Sequence, residues 1–145
     1  MKKISLFSVV ILALITFTAC SGDDDGGPTG PTISNQIFAT WNMVFFIENG
    51  VLNSDVECDS DIEYKFNSNK TYSKTLFSEP SNGGNTCDIS LVINGSWEIV
   101  SDDVLKLTPS SSTFSTETLT LKLFPNNQQL EIKRSLSLTE VYDRL

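Results

Sequence analysis

With 145 residues, 39% of them apolar, the chain is long enough for one compact core, and the absence of histidine removes the commonest general base and transition-metal ligand. Eighteen acidic residues against ten basic ones give a net charge of −8, and the longest basic runs are the pairs Lys2-Lys3 and Lys133-Arg134. Such a chain is repelled by phosphate backbones, so nucleic acid is not an expected partner.

Met1, Lys2 and Lys3 precede an uncharged run from Ile4 to Ala19, the form of a secretory signal peptide. The run is shorter than the roughly 20 apolar residues that a membrane-spanning helix needs. Phe17-Thr18-Ala19-Cys20 resembles the lipobox of bacterial lipoproteins, with Phe17 where Leu is usual. The resemblance implies cleavage before Cys20 and a lipid on its sulfur, which makes a membrane the first partner. Residues 21–31 read SGDDDGGPTGP and offer nothing apolar to bury, so they are expected to form a flexible leash. Ser21 behind the cysteine and the run Asp23-Asp24-Asp25 are similar to sorting signals of Gram-negative lipoproteins. They imply an outer-membrane lipoprotein on the periplasmic or cell-surface face. Loss of residues 1–19 leaves eight basic residues against eighteen acidic ones, a charge of −10. The chain is thus divided into a signal peptide (1–19), a lipidated cysteine with its acidic linker (20–34), and one domain (35–145).

In the domain, short alternating runs bounded by turn residues predict strands throughout. Phe38 to Ile47 is the first, with Trp41, Met43, Phe45 and Ile47 expected on one face, and Asn49-Gly50 is a turn that tolerates positive φ. Ile62, Tyr64 and Phe66 alternate with Glu63 and Lys65, and Asn67 to Lys70 turns into a strand from Thr71 to Phe77. The loop Ser78 to Asn85 contains Pro80 and Gly83-Gly84. Ile89, Leu91 and Ile93 mark the next strand, Gly95 permits a bend or bulge, and Trp97 and Ile99 continue it. Asp102-Asp103 turns into Val104 to Leu107. Thr116 to Phe124 places Leu119, Leu121 and Leu123 on one face, Pro125-Asn126-Asn127 turns, Leu130 and Ile132 alternate, and Ser137 to Leu145 ends the chain.

This pattern of about eight or nine strands predicts an all-β fold: a closed or nearly closed antiparallel up-and-down barrel, in which closure removes exposed edges. A sandwich is the alternative. Lipidation of Cys20 leaves Cys58 and Cys87 as an even pair in an oxidising compartment, and a disulfide is expected. Across about 30 residues it would contribute roughly 3 to 4 kcal/mol. A zinc site or a catalytic thiol would each lack histidine.

The domain resembles the lipocalin-like domain of small bacterial lipoproteins. The matching features are Ala39-Thr40-Trp41 early in the first strand, Gly95-Ser96-Trp97, Leu105-Lys106-Leu107 and the terminal Tyr142-Asp143-Arg144. The resemblance implies that Arg144 stacks on Trp41 where the barrel closes. Ala39 stands where the family has Gly.

Asp55, Glu57, Asp59, Asp61 and Glu63 recur every second residue, which on one strand face would align five carboxylates. Asp55, Glu57, Asp59 and Asp61 are weak calcium candidates, because an EF-hand counted from Asp55 meets Ser60 and Phe66 where Gly and Glu are needed. A solvated acidic loop is the expectation, with no metal and no cofactor. No constellation specifies a reaction, so no enzyme is expected. The leading expectation is a monomeric binding module for a small apolar or amphipathic ligand, with Ile62, Tyr64, Phe66, Tyr72, Leu91, Ile93 and Leu121 as pocket residues. The alternative is a protein-interaction or inhibitor domain with a filled barrel, contacting its partner through loops 78–85 and 110–115.

Overall fold

A computed structural model describes residues 33–145. The signal peptide, Cys20 and the leash up to residue 32 lie outside the described residues. A single helical turn, α1 (Ile33–Gln36), leads into nine strands: β1 (Ala39–Glu48), β2 (Val51–Asn53), β3 (Ile62–Phe66), β4 (Thr71–Ser78), β5 (Asp88–Ser101), β6 (Val104–Pro109), β7 (Glu117–Leu123), β8 (Gln129–Lys133) and β9 (Leu138–Arg144). Every pairing is antiparallel. Strands β1 and β3 to β9 pair in succession, and β1 also pairs with β9, which closes an eight-stranded barrel. The short β2 extends the far half of β1 as a hairpin, turning through Asn49 (φ 51°) and Gly50 (φ 80°) as that dipeptide favours.

Because directly paired residues share a face, the register defines the interior. Trp41 pairs with Tyr64, Tyr64 with Lys74, Tyr72 with Gly95, Trp97 with Leu107, and Leu130 with Tyr142. Trp41, Tyr64, Tyr142, Leu105, Leu107, Leu130 and Ile132 are fully buried and fill the barrel. Full burial of each such apolar side chain stabilises by about 1.5 to 3 kcal/mol relative to exposure.

The closed end is built from α1 and the turns at residues 67–70, 102–103 and 125–128. Trp41 Nε1 donates to the Ile37 carbonyl at 2.8 Å, so α1 is fastened across the bottom. The guanidinium carbon of Arg144 lies 5.5 Å from the Trp41 ring centroid, and its N–H groups donate to the carbonyls of Phe38 (2.8 Å) and Asn127 (3.2 Å). Lys70 caps Trp97 in the same region, with its ammonium 3.9 Å from the ring. The opposite end is the mouth, framed by residues 49–61, 79–87, 110–116 and 134–137. The Cys58–Cys87 disulfide (Cα–Cα 5.4 Å) ties two of these mouth loops together.

Two expectations are corrected. The register of β1 against β9 shifts by one residue between Met43 and Phe45, so Phe46 and Glu48, not Phe45 and Ile47, continue the face of Trp41 and Met43. Gly95 forms no bulge: β5 stays in register with β4 from Leu91 to Ser96 and with β6 from Gly95 to Ile99. Glycine is required there by close approach. A Cβ at residue 95 would stand 2.2 Å from the Thr108 carbonyl oxygen and 2.6 Å from the Tyr72 ring.

Candidate functional site

Above the aromatic floor the barrel interior is not apolar. Lys74 within β4, Glu117 at the start of β7, Arg134 just past β8 and Glu140 within β9 are each in phase with the inward face of their strand. Arg134 donates to Glu140 Oε1 at 2.6 Å, to Glu117 Oε2 at 2.6 Å and to the Tyr64 hydroxyl at 2.5 Å. Lys74 donates to Glu117 Oε1 at 3.2 Å, and the Tyr142 hydroxyl donates to Glu140 Oε2 at 2.7 Å. Two cations and two anions thus balance, and each carboxylate oxygen has a donor.

The environment moves these groups in directions set by burial and charge. Burial pushes the Tyr64 phenol well above its usual range, against the opposing pull of Arg134, and burial likewise raises Tyr142, helped by Glu140. Burial lowers Lys74, with Arg134 adding to the effect and Glu117 resisting it. For Glu117 burial opposes ionisation, but Lys74 and Arg134 together outweigh it and hold the carboxyl below the usual range.

Beside this cluster, between β1, β9 and the 3-10 turn Cys58–Ser60, lies a cleft of about 270 Å³. Met43, Phe46 and Leu138 give it apolar walls; Glu48, Glu140 and Ser60 give it acceptors. The β-bulge in β1 is what brings Phe46 and Glu48 into the mouth. Glu48 pairs with Leu138 and Phe46 with Glu140, so these four residues line the cleft from two neighbouring strands.

A family model described as a lipocalin-like domain matches residues 37–132. The chain belongs to the lipocalin-like domain family. Its fold is similar to that of a lipocalin-like protein from Bacteroides uniformis, at 9% identity and TM-score 0.55, over 76% of this chain and 99% of that one. An uncharacterized protein from Bacteroides eggerthii is similar at 10% identity and TM-score 0.53, over 74% and 98%. No curated protein matches the chain. A lipocalin-like barrel is typically a non-catalytic binding fold, and the arrangement of a filled lower barrel beneath a mixed polar and apolar mouth agrees with a binding role.

In this lipocalin-like chain the residues expected to line a pocket are distributed differently. Tyr64, Phe66, Tyr72, Ile93 and Leu121 are buried, Ile62 packs partly buried against the core, and Leu91 is 37% exposed at the rim. None of the seven lines the cleft between β1 and β9, whereas Ile93 lines a second, smaller cleft with Val92, Asn94, Ser110, Ser111 and Phe114. Trp41 and Arg144 meet at the closed end, as described above. Cys20 lies outside the described residues.

The acidic series also departs from a single strand face. Residues 54–57 are irregular, Cys58–Ser60 is a 3-10 turn, and β3 starts only at Ile62. Asp59 accepts the Glu79 N–H at 3.3 Å, whereas Asp61 turns inward, where burial raises its carboxyl and the Ile62 N–H partly opposes that. Among the described residues no three acidic or cysteine side chains approach closely enough to hold a metal ion.

The interior ion cluster and the cleft were missed by motif reading. A signal for the cluster existed: Lys74 follows Tyr72 by two, Glu117 precedes Leu119 by two, Arg134 follows Ile132 by two, and Glu140 precedes Tyr142 by two. Charges in phase with a buried strand face are interior charges.

Proposed function

We propose that this chain is a lipid-anchored binding module of the Gram-negative outer membrane, held through Cys20 and presenting a mouth site for a small apolar or amphipathic molecule. The observation that carries the reading is the cleft of Met43, Phe46, Glu48, Ser60, Leu138 and Glu140 above a filled core. It offers one apolar flank and one polar flank at the same opening, the surface an amphipathic ligand needs. The site acts by binding, as is typical of a lipocalin-like barrel.

The test is to purify the protein from its native envelope, extract it with organic solvent, and search for a stoichiometric small molecule by mass spectrometry. Radiolabelled fatty acid incorporated into the wild type but not into C20S supports the anchor; equal labelling of both rejects it. Repeated empty extracts reject the ligand.

A second reading, a protein-interaction domain, is favoured by apolar side chains exposed around the mouth. Val51 and Leu52 are each 61% exposed, and Ile89 and Val92 project from the part of β5 that continues past the end of β6. Crosslinking from these positions in intact cells distinguishes it: one recurrent protein adduct supports this reading, and diffuse labelling rejects it.

A further inference from the structure

We infer that the mouth cleft selects ligands carrying a protonated amine beside an apolar body, in preference to fatty acids or neutral amphiphiles. This rests on the reading of the mouth as a small-molecule site. The polar groups that line the cleft are Glu48, Ser60 and Glu140, and no basic side chain lines it. Two cations of the neighbouring cluster are already engaged: Arg134 is divided among Glu117, Glu140 and Tyr64, and Lys74 is bound to Glu117.

Glu140 is 4% exposed, yet it lines the cleft. Arg134 and Tyr142 each supply one donor to it, whereas a carboxylate offers about four acceptor positions. A buried carboxylate with acceptor capacity left over, facing a cavity, is complementary to an N–H donor. Glu48 adds a second carboxylate, with no side-chain hydrogen bond or salt bridge among the described residues. Met43, Phe46 and Leu138 supply apolar lining next to these carboxylates, Leu138 paired with Glu48 and Phe46 with Glu140. An anionic head would meet two carboxylates there with no cation to receive it. A neutral head gains hydrogen bonds but no charge attraction, and the chain's net charge of −8 adds a long-range attraction for cations. At about 270 Å³ the cleft lies near the small end of ligand sites, so the ligand is compact, such as an arylalkyl amine.

The experiment titrates the purified full chain at neutral pH with three water-soluble probes of matched shape: 2-phenylethylamine, 2-phenylethanol and 3-phenylpropionate. Calorimetry gives affinity, and E48Q and L138W report the charge and the location. The amine is expected to bind about tenfold more tightly than the alcohol, with the acid weakest. E48Q should remove most of that preference, and L138W should weaken all three probes. Alcohol or acid binding as tightly as the amine, in a manner that L138W abolishes, overturns the amine preference and leaves the mouth site standing. Amine binding unaffected by E48Q also overturns the inference. No binding of any probe overturns both the preference and the mouth site as a receptor for compact amphiphiles.

Discussion

Arg134 is the residue whose replacement tests the interior cluster most sharply. In R134M the aliphatic stem is kept and the guanidinium is lost. The Arg134 side chain is 17% exposed, and its partners are 6% exposed (Glu140) and 32% exposed (Glu117). Glu117 keeps Lys74 and is in partial contact with solvent, so its share of the loss is small. Glu140 keeps only the Tyr142 hydroxyl and becomes an almost uncompensated buried charge. Breaking a buried pair in this way costs about 3 to 5 kcal/mol, and solvent at the Glu117 side places R134M near the lower end, about 3 kcal/mol. Equilibrium urea unfolding at neutral pH, followed by tryptophan fluorescence, measures it. The double variant R134M/E140Q removes the orphaned charge and should recover about 2 kcal/mol. A single variant within about 1 kcal/mol of the parent, with an unchanged denaturant slope, refutes the reasoning and means that the cluster is screened by water.

G95A should destabilise by more than about 2 kcal/mol, since the added Cβ meets the Thr108 carbonyl and the Tyr72 ring; a melting temperature equal to the parent's contradicts the close approach. C58S/C87S should lose about 3 kcal/mol and become cleavable by protease between residues 79 and 87, because the bridge ties that loop to the 49–61 connection; an unchanged cleavage pattern contradicts it. Stability should fall on both sides of neutrality. The depressed pKa of Glu117 stabilises the fold above the ordinary Glu value of about 4.3, and this is lost as pH drops through the lower folded value. The raised pKa values of Tyr64 and Tyr142 stabilise it below the ordinary Tyr value of about 10, and this is lost as pH rises toward the folded values. Urea midpoints that stay level above about pH 10 contradict the burial of the two phenols.

The barrel was legible in the sequence wherever one face is wet and the other dry. Ile62, Tyr64 and Phe66 on β3, and Leu119, Leu121 and Leu123 on β7, alternate strictly and point as their period requires. Alternation cannot reveal a one-residue slip, so the bulge after Met43 left Phe46 and Glu48 assigned to the outside, and with them went the cleft. Gly95 carries the same lesson in another form. The residue type signalled a backbone exception, but whether that exception is a bend or a close approach depends on Tyr72 and Thr108, which lie distant in sequence. The three-residue β2 and the single-turn α1 are too short to have a period. The interior charges were legible by phase and overlooked by motif, because no recurring spacing joins Lys74, Glu117, Arg134 and Glu140; only barrel closure does.

The central claim is that a small molecule occupies the mouth cleft. Wild-type protein and L138W, purified in parallel from the native envelope, give the most direct test when their organic extracts are compared by quantitative mass spectrometry. One small molecule at near-stoichiometric yield is expected from the wild type and its loss from L138W, with both proteins equally folded. The same molecule at equal yield from both, or none from either, contradicts it.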